Sequence, residues 1–220
     1  MARSTASILS YVFHPIFYPP VLLILYLMTN PIEFGISEPF EDMVLIFQTV
    51  INCTLLPLIS ILIMWRVNLI PSIQMDDKMD RIGPYIAVMI FFIWYYLSVD
   101  LYGVAPVFRL YILGGIVSLI AVFIINIFSK VSLHAMGIAG LATNLLISYA
   151  AFGYEKLILP YAGKYLQIEY STILSIVLLI VFIVLLSRLY LKKHNLAELG
   201  GGLLLGVFGQ IIALKLIYII

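Results

Sequence analysis

Residues 187–198, SRLYLKKHNLAE, place Arg188, His194 and Glu198 in a short polar gap between two strongly apolar runs. Such groups are costly in or near a bilayer and are usually kept there for a use. Together they have the chemistry of a phosphate site. A guanidinium holds phosphate oxygens bidentately and neutralises charge in the transition state. An imidazole attacks phosphorus, and a carboxylate on that imidazole fixes its tautomer and supports the charge it acquires. His194 and Glu198 are four residues apart, so they are neighbours if the stretch is helical. A second imidazole, His134, ends another polar break, SKVSLH at 129–134, and can protonate a leaving oxygen. A third break, NLIPSIQMDDKMDRIGP at 68–84, carries Asp76, Asp77, Lys78, Asp80 and Arg81.

The elements that must position these groups are membrane helices. The chain has 220 residues, 64% of them hydrophobic and 10% charged, where a soluble domain has about half and a quarter. The length suits one bundle of spanning helices and leaves no room for a second soluble domain, so residues 1–220 form a single membrane domain. A net charge of +1 does not suggest a nucleic-acid partner. The single cysteine, Cys53, excludes an internal disulfide and is expected to act as a small buried hydrophobe. Arg3 precedes an apolar run, but no small-x-small cleavage signature follows, so the amino terminus is expected to be mature protein.

Seven apolar runs follow one another: 15–28, 43–65, 85–99, 107–128, 134–152, 171–191 and 197–219. The first is short and proline-rich at its start, which suits a tilted span or one capped by an interfacial segment. Pro57 is expected to kink the second. The fifth, rich in Gly and Ala, is expected inside the bundle, and GGGLLLG at 200–206 is a close-packing surface. The sixth, without charge before Arg188, is expected to face lipid. Residues 153–170 read as a loop and 100–106 as a tight turn. The predicted class is an all-α polytopic helix bundle.

Counting spans gives a test of the composite site. Spans three and four form a hairpin, and spans five and six another, so the breaks at 68–84, 129–134 and 187–198 all return to one membrane face. That face carries Arg3, Arg66, Lys78, Arg81, Lys130, Arg188, Lys192 and Lys193, which places it in the cytoplasm by the positive-inside rule. A bacterial or archaeal cell membrane is the expected location.

Ser187, Arg188, His194 and Glu198 resemble the third signature of the type 2 phosphatidic acid phosphatase superfamily: serine-arginine, five residues, histidine, three residues, aspartate. VSLH at 131–134 occupies the place of the second signature, proline-serine-glycine-histidine, and keeps Ser132 and His134. The first signature, lysine, six residues, arginine-proline, is altered. With its proline on Pro84, Asp76 and Gly83 stand where lysine and arginine belong, and Lys78 and Arg81 are the nearby replacements. Val131 and Leu133 replace the proline and glycine of the second, and glutamate replaces the aspartate of the third.

The resemblance covers the chain from Lys78 onward and implies a six-helix phosphatase-like core over about 43–220. It implies His194 as nucleophile, Glu198 as its orienter and His134 as general acid. Arg188, Lys78, Arg81 and Ser132 would bind phosphate. The implied reaction needs no cofactor and no metal: hydrolysis of a phosphate or diphosphate from a phosphatidate-type lipid or a polyprenyl diphosphate through a phosphohistidine. The partners are that lipid substrate and the bilayer.

Two alternatives remain. One is a catalytically inactive membrane protein on the same scaffold. The other is magnesium-dependent prenyl transfer, because Asp76, Asp77 and Asp80 form a DDxxD run of the kind that binds a metal-diphosphate; a second aspartate-rich loop is missing from the sequence. Lys192 and Lys193 read as headgroup contacts or topology signals, and His14, before Pro15, as an interfacial residue.

Overall fold

The computed structural model describes residues 3–75, 77–101, 103–161 and 164–219. Helices α1 (Arg3–Val12), α2 (Tyr18–Thr29), α3 (Met43–Val50), α4 (Leu56–Arg66), α5 (Ile82–Leu101), α6 (Pro106–Phe128), α7 (Leu133–Phe152), α8 (Tyr170–Tyr190) and α9 (Leu196–Ile219) follow in order. Among the described residues, seven helical segments are long and apolar enough to cross a membrane, with α1 and α2 counted together and α3 and α4 counted together. The chain is an all-α polytopic bundle.

The first span breaks where the sequence carries its prolines. α1 ends at Val12, His14 caps a single tight turn over Pro15–Phe17, and α2 starts with Pro19 in its first turn. A proline has no N–H to donate and is tolerated where a helix begins. In the second span, Pro57 acts through a π-helical turn over Ile51–Leu55, where the Leu56 N–H reaches back to the Ile51 carbonyl. The widened turn makes room for a ring that would otherwise press on the carbonyl four residues earlier.

One sequence expectation is corrected. Residues 153–170 are not simply a loop: β1 (Lys156–Tyr161) and β2 (Lys164–Glu169) form an antiparallel hairpin, with Lys156 opposite Glu169. Gly153, at φ 70, closes α7 before it, a conformation that costs glycine nothing. At the other turn on this face, Asp100 pairs with Arg109.

The centre of the bundle is α9 packed on α6 and α7. Half of the most apolar stretch of α6 and of α7 is buried, against 17% for that of α8, which presents its surface outward. A Cβ on Gly202 would lie 2.5 Å from the Ser132 carbonyl, and one on Gly206 would collide with the Met136 carbonyl. The backbones of α7 and α9 therefore touch, as small residues permit between membrane helices. Buried polar groups tie the same elements: the Tyr26 hydroxyl donates to Asn144 Oδ1 at 2.5 Å, Asn144 Nδ2 to Gln210 Oε1 at 3.2 Å, and Gln210 Nε2 to the Tyr111 carbonyl at 3.3 Å. With no water in the bilayer core, such groups must find one another.

Gly202→Ala is expected to lower stability by about 1–3 kcal/mol through overpacking. Gly200→Ala, whose added methyl meets nothing within 4 Å, should leave it unchanged. Thermal denaturation of the two variants in detergent checks this, and equal stability would remove the close approach as a structural requirement.

Candidate functional site

Five residues, 191–195, turn the chain from α8 into α9. Lys192 takes the left-handed conformation at φ 53, which lets its N–H reach the Leu189 carbonyl at 2.9 Å and the Lys193 N–H reach the Arg188 carbonyl at 3.2 Å. Those bonds satisfy carbonyls that the end of α8 would leave orphaned. Asn195 opens α9: its Oδ1 accepts the Glu198 N–H at 2.9 Å and its Nδ2 donates to Glu198 Oε1 at 3.2 Å. This reciprocal cap fixes the carboxylate, and its second oxygen, Oε2, accepts the Nδ1–H of His194 at 2.6 Å. The proton therefore sits on Nδ1, and Nε2 keeps the lone pair.

His194 is buried, its side chain 4% exposed. Burial is the main reason its pKa is lowered to about 4; the bond to Glu198 opposes that shift, while Arg188 and Arg81 add to it. The ring is neutral at pH 7. His194 and Glu198 lie on a recess of about 430 Å³ whose wall also includes Lys130, Lys192 and Lys193.

The other polar breaks meet this one. The Ser132 N–H donates to the Glu198 carbonyl at 3.1 Å. The Ser132 hydroxyl, expected at a phosphate, is fully buried and caps α7 by accepting the Ala135 N–H at 3.4 Å. Arg81 is buried and donates from Nε to the Met75 carbonyl at 2.9 Å and from one terminal nitrogen to the Val131 carbonyl at 3.1 Å. Lys78, also expected at a phosphate, instead turns to the end of α6, donating to the Ile127 carbonyl at 2.7 Å. A helix C-terminus with unsatisfied carbonyls is a natural partner for an ammonium.

Asp77 accepts the Met79 N–H at 2.7 Å, a local turn bond, and Asp80 is half-buried. Asp76 lies outside the described residues. Among the described residues no three His, Cys, Asp or Glu side chains form a group that could hold a metal ion.

His134 Nε2 donates to the Ser10 carbonyl at 3.0 Å, which leaves Nδ1 for other chemistry. Its ring stands nearly perpendicular to that of His14, with centroids 5.0 Å apart. The charge of Arg188 is felt by His14, His134 and His194 together, and that of Arg81 by His194. Of the expected site residues, His194 and Glu198 line the recess, joined by Lys130, Lys192, Lys193 and Asn195. Arg81, Arg188 and His134 are not part of its lining, and His14 lines a different cavity. Asn195 was legible as a helix cap next to the histidine. Lys130 lies two residues before Ser132, where a charge before a helix start is ordinary. His14 gave no signal beyond a proline-flanked imidazole.

Comparison with protein-family models, with curated proteins and with solved structures finds no match.

Because the unfolded chain takes up the His194 proton near its ordinary value of 6.5 and the folded chain only near 4, the stability held in this ring is fully present above about pH 6.5. It is lost as pH falls through about 4. Melting temperatures measured from about pH 7 to pH 4 should fall in the natural protein and fall less steeply in His194→Gln; parallel curves would place the loss elsewhere.

Proposed function

We propose that this protein hydrolyses a phosphate or diphosphate from a membrane lipid through a phosphohistidine at His194, as a divergent relative of the type 2 phosphatidic acid phosphatases. The observation that carries this proposal is the 2.6 Å bond between His194 Nδ1 and Glu198 Oε2 at the edge of a lysine-lined recess. A neutral imidazole held by a carboxylate on one nitrogen is a nucleophile at the other. The basic wall suits a ligand of high negative charge. The site sits where spanning helices end, so a lipid phosphate can reach it while its chain stays among apolar helices.

In the first step the Nε2 lone pair forms an N–P bond as the bond from phosphorus to the lipid oxygen breaks. The leaving oxygen takes a proton from Nδ1 of His134, which in this proposal enters the cycle as the imidazolium beside the bound phosphate anion, with its Nε2–H still on Ser10, and is left neutral. Water then attacks phosphorus, gives its proton back to the same nitrogen, and the N–P bond breaks to release phosphate and restore His194. Glu198 balances the positive charge that the histidine acquires while phosphorylated. Arg188 and Arg81 stabilise the charge on the transferring group.

Phosphate release from a phosphatidate and from a polyprenyl diphosphate, with and without EDTA, tests this. His194→Ala should abolish release. Glu198→Gln should lower kcat by about 10²–10⁴-fold, and EDTA should change neither result. A natural protein inactive on both substrates would instead favour a non-catalytic role on this scaffold, and loss with EDTA would point to magnesium at Asp76, Asp77 and Asp80.

A further inference from the structure

A partly open apolar cavity of about 220 Å³ lies between α2, the π-helical turn, α4, α5, α6, α7 and α9, separate in its lining from the recess at His194. Its walls are almost wholly hydrocarbon, from residues such as Val88, Phe92, Leu119 and Met136. Walls of that kind favour an apolar ligand. Polar side chains interrupt it at His14, Tyr85, Tyr111, Ser118 and Gln210. Ser118 and Gln210 donate to the Leu205 and Tyr111 carbonyls, whereas Tyr85 and His14 are less fully used.

Tyr85 is 2% exposed, and its hydroxyl makes no hydrogen bond of good geometry among the described residues, although the Arg81 guanidinium is near enough to act on it. An unsatisfied buried hydroxyl costs about 1–3 kcal/mol, a cost that a ligand oxygen would remove. His14 accepts the Ile16 N–H at Nδ1 over a long 3.4 Å. Aspartate, asparagine or serine would serve that cap better. With Nδ1 accepting, the neutral ring carries its proton on Nε2 and has one donor to offer.

The segment carrying His14 is docked by shape and by several bonds. The Thr54 hydroxyl, in the π-helical turn, donates to the Ile16 carbonyl at 2.8 Å, and the Tyr18 hydroxyl donates to the Phe13 carbonyl at 2.8 Å. His134 holds the Ser10 carbonyl. Gly137 leaves room for Pro15, because a Cβ there would lie 2.5 Å from the proline Cβ. This much specific contact fixes one imidazole beside His134 and within reach of the charge of Arg188.

We propose that the cavity is a chain-binding subsite for a single-chain amphiphile with an anionic phosphate head, and that His14 and Tyr85 are the residues that contact that head, backed by Arg188 and Arg81. The phosphate head is taken from the function proposed above; the chain subsite and its two polar contacts rest on the cavity. The segment before α2 is then part of the site and not only a membrane anchor.

The test is calorimetric titration of the full chain in nanodiscs with decyl phosphate and, separately, with inorganic phosphate, empty nanodiscs being subtracted. The natural protein should bind decyl phosphate more tightly than inorganic phosphate. Tyr85→Phe and His14→Asn, the latter keeping a cap acceptor, should each weaken decyl phosphate about tenfold without lowering the melting temperature. Val88→Phe, which fills the cavity, should weaken decyl phosphate and leave inorganic phosphate as it was. Unchanged decyl phosphate affinity in Tyr85→Phe and His14→Asn, or in Val88→Phe, overturns the inference, as does equal affinity for the two probes in the natural protein. Phosphate release measured in parallel separates the two proposals. Binding that depends on these residues without any turnover keeps the subsite and discards the hydrolase; turnover that ignores them does the reverse.

Discussion

The backbone of α9 runs so close to the first turn of α7 that the Ser132 N–H donates to the Glu198 carbonyl. The junction between the 129–134 break and the start of α9 depends on that approach. It requires Gly202 and Gly206, since a side chain at either would meet α7 backbone. In a bilayer no hydrophobic force draws helices together, so packing and backbone contact must do it. Glycine is weak in a helix on its own account, and here the loss is offset by the closeness it allows.

From that contact the site assembles by ordinary helix-end chemistry. Helix termini leave N–H and C=O groups without partners, and in a membrane protein those termini collect at the faces. Asn195 caps α9 and in doing so holds Glu198, which holds His194. Arg81 ties the connection before α7 to the residues before α5, and Lys78 closes the end of α6. Structural satisfaction and functional placement use the same atoms, so a change to one is felt by the other. The depressed pKa of His194 follows directly, since burial against two guanidiniums outweighs the one carboxylate that would keep its proton.

Polar groups in the interior follow a different rule from those at the face. Tyr26, Asn144 and Gln210 are joined into a bonded chain that crosses four helices, and their role is explained by mutual satisfaction. Tyr85 and His14, at the apolar cavity, are not used up in this way.

The sequence alone determined the class and the span count, because a run of about twenty apolar residues has few places to go but a bilayer. It also determined the pairing of His194 with Glu198, since a four-residue spacing at a helix start is a local geometry. Other features were decided by tertiary structure. Lys78 and Ser132 have the right residue types for phosphate, yet the helix ends beside them, of α6 and α7, claim Lys78 by its ammonium and Ser132 by its hydroxyl. The hairpin at 156–169 carries no alternation strong enough to announce it, and its pairing exists only between two strands. His14 lies more than a hundred residues from His134 in the chain. Only the fold of the proline-broken first span onto α7 puts the two rings together, because side chains so far apart in sequence meet through packing and not through spacing.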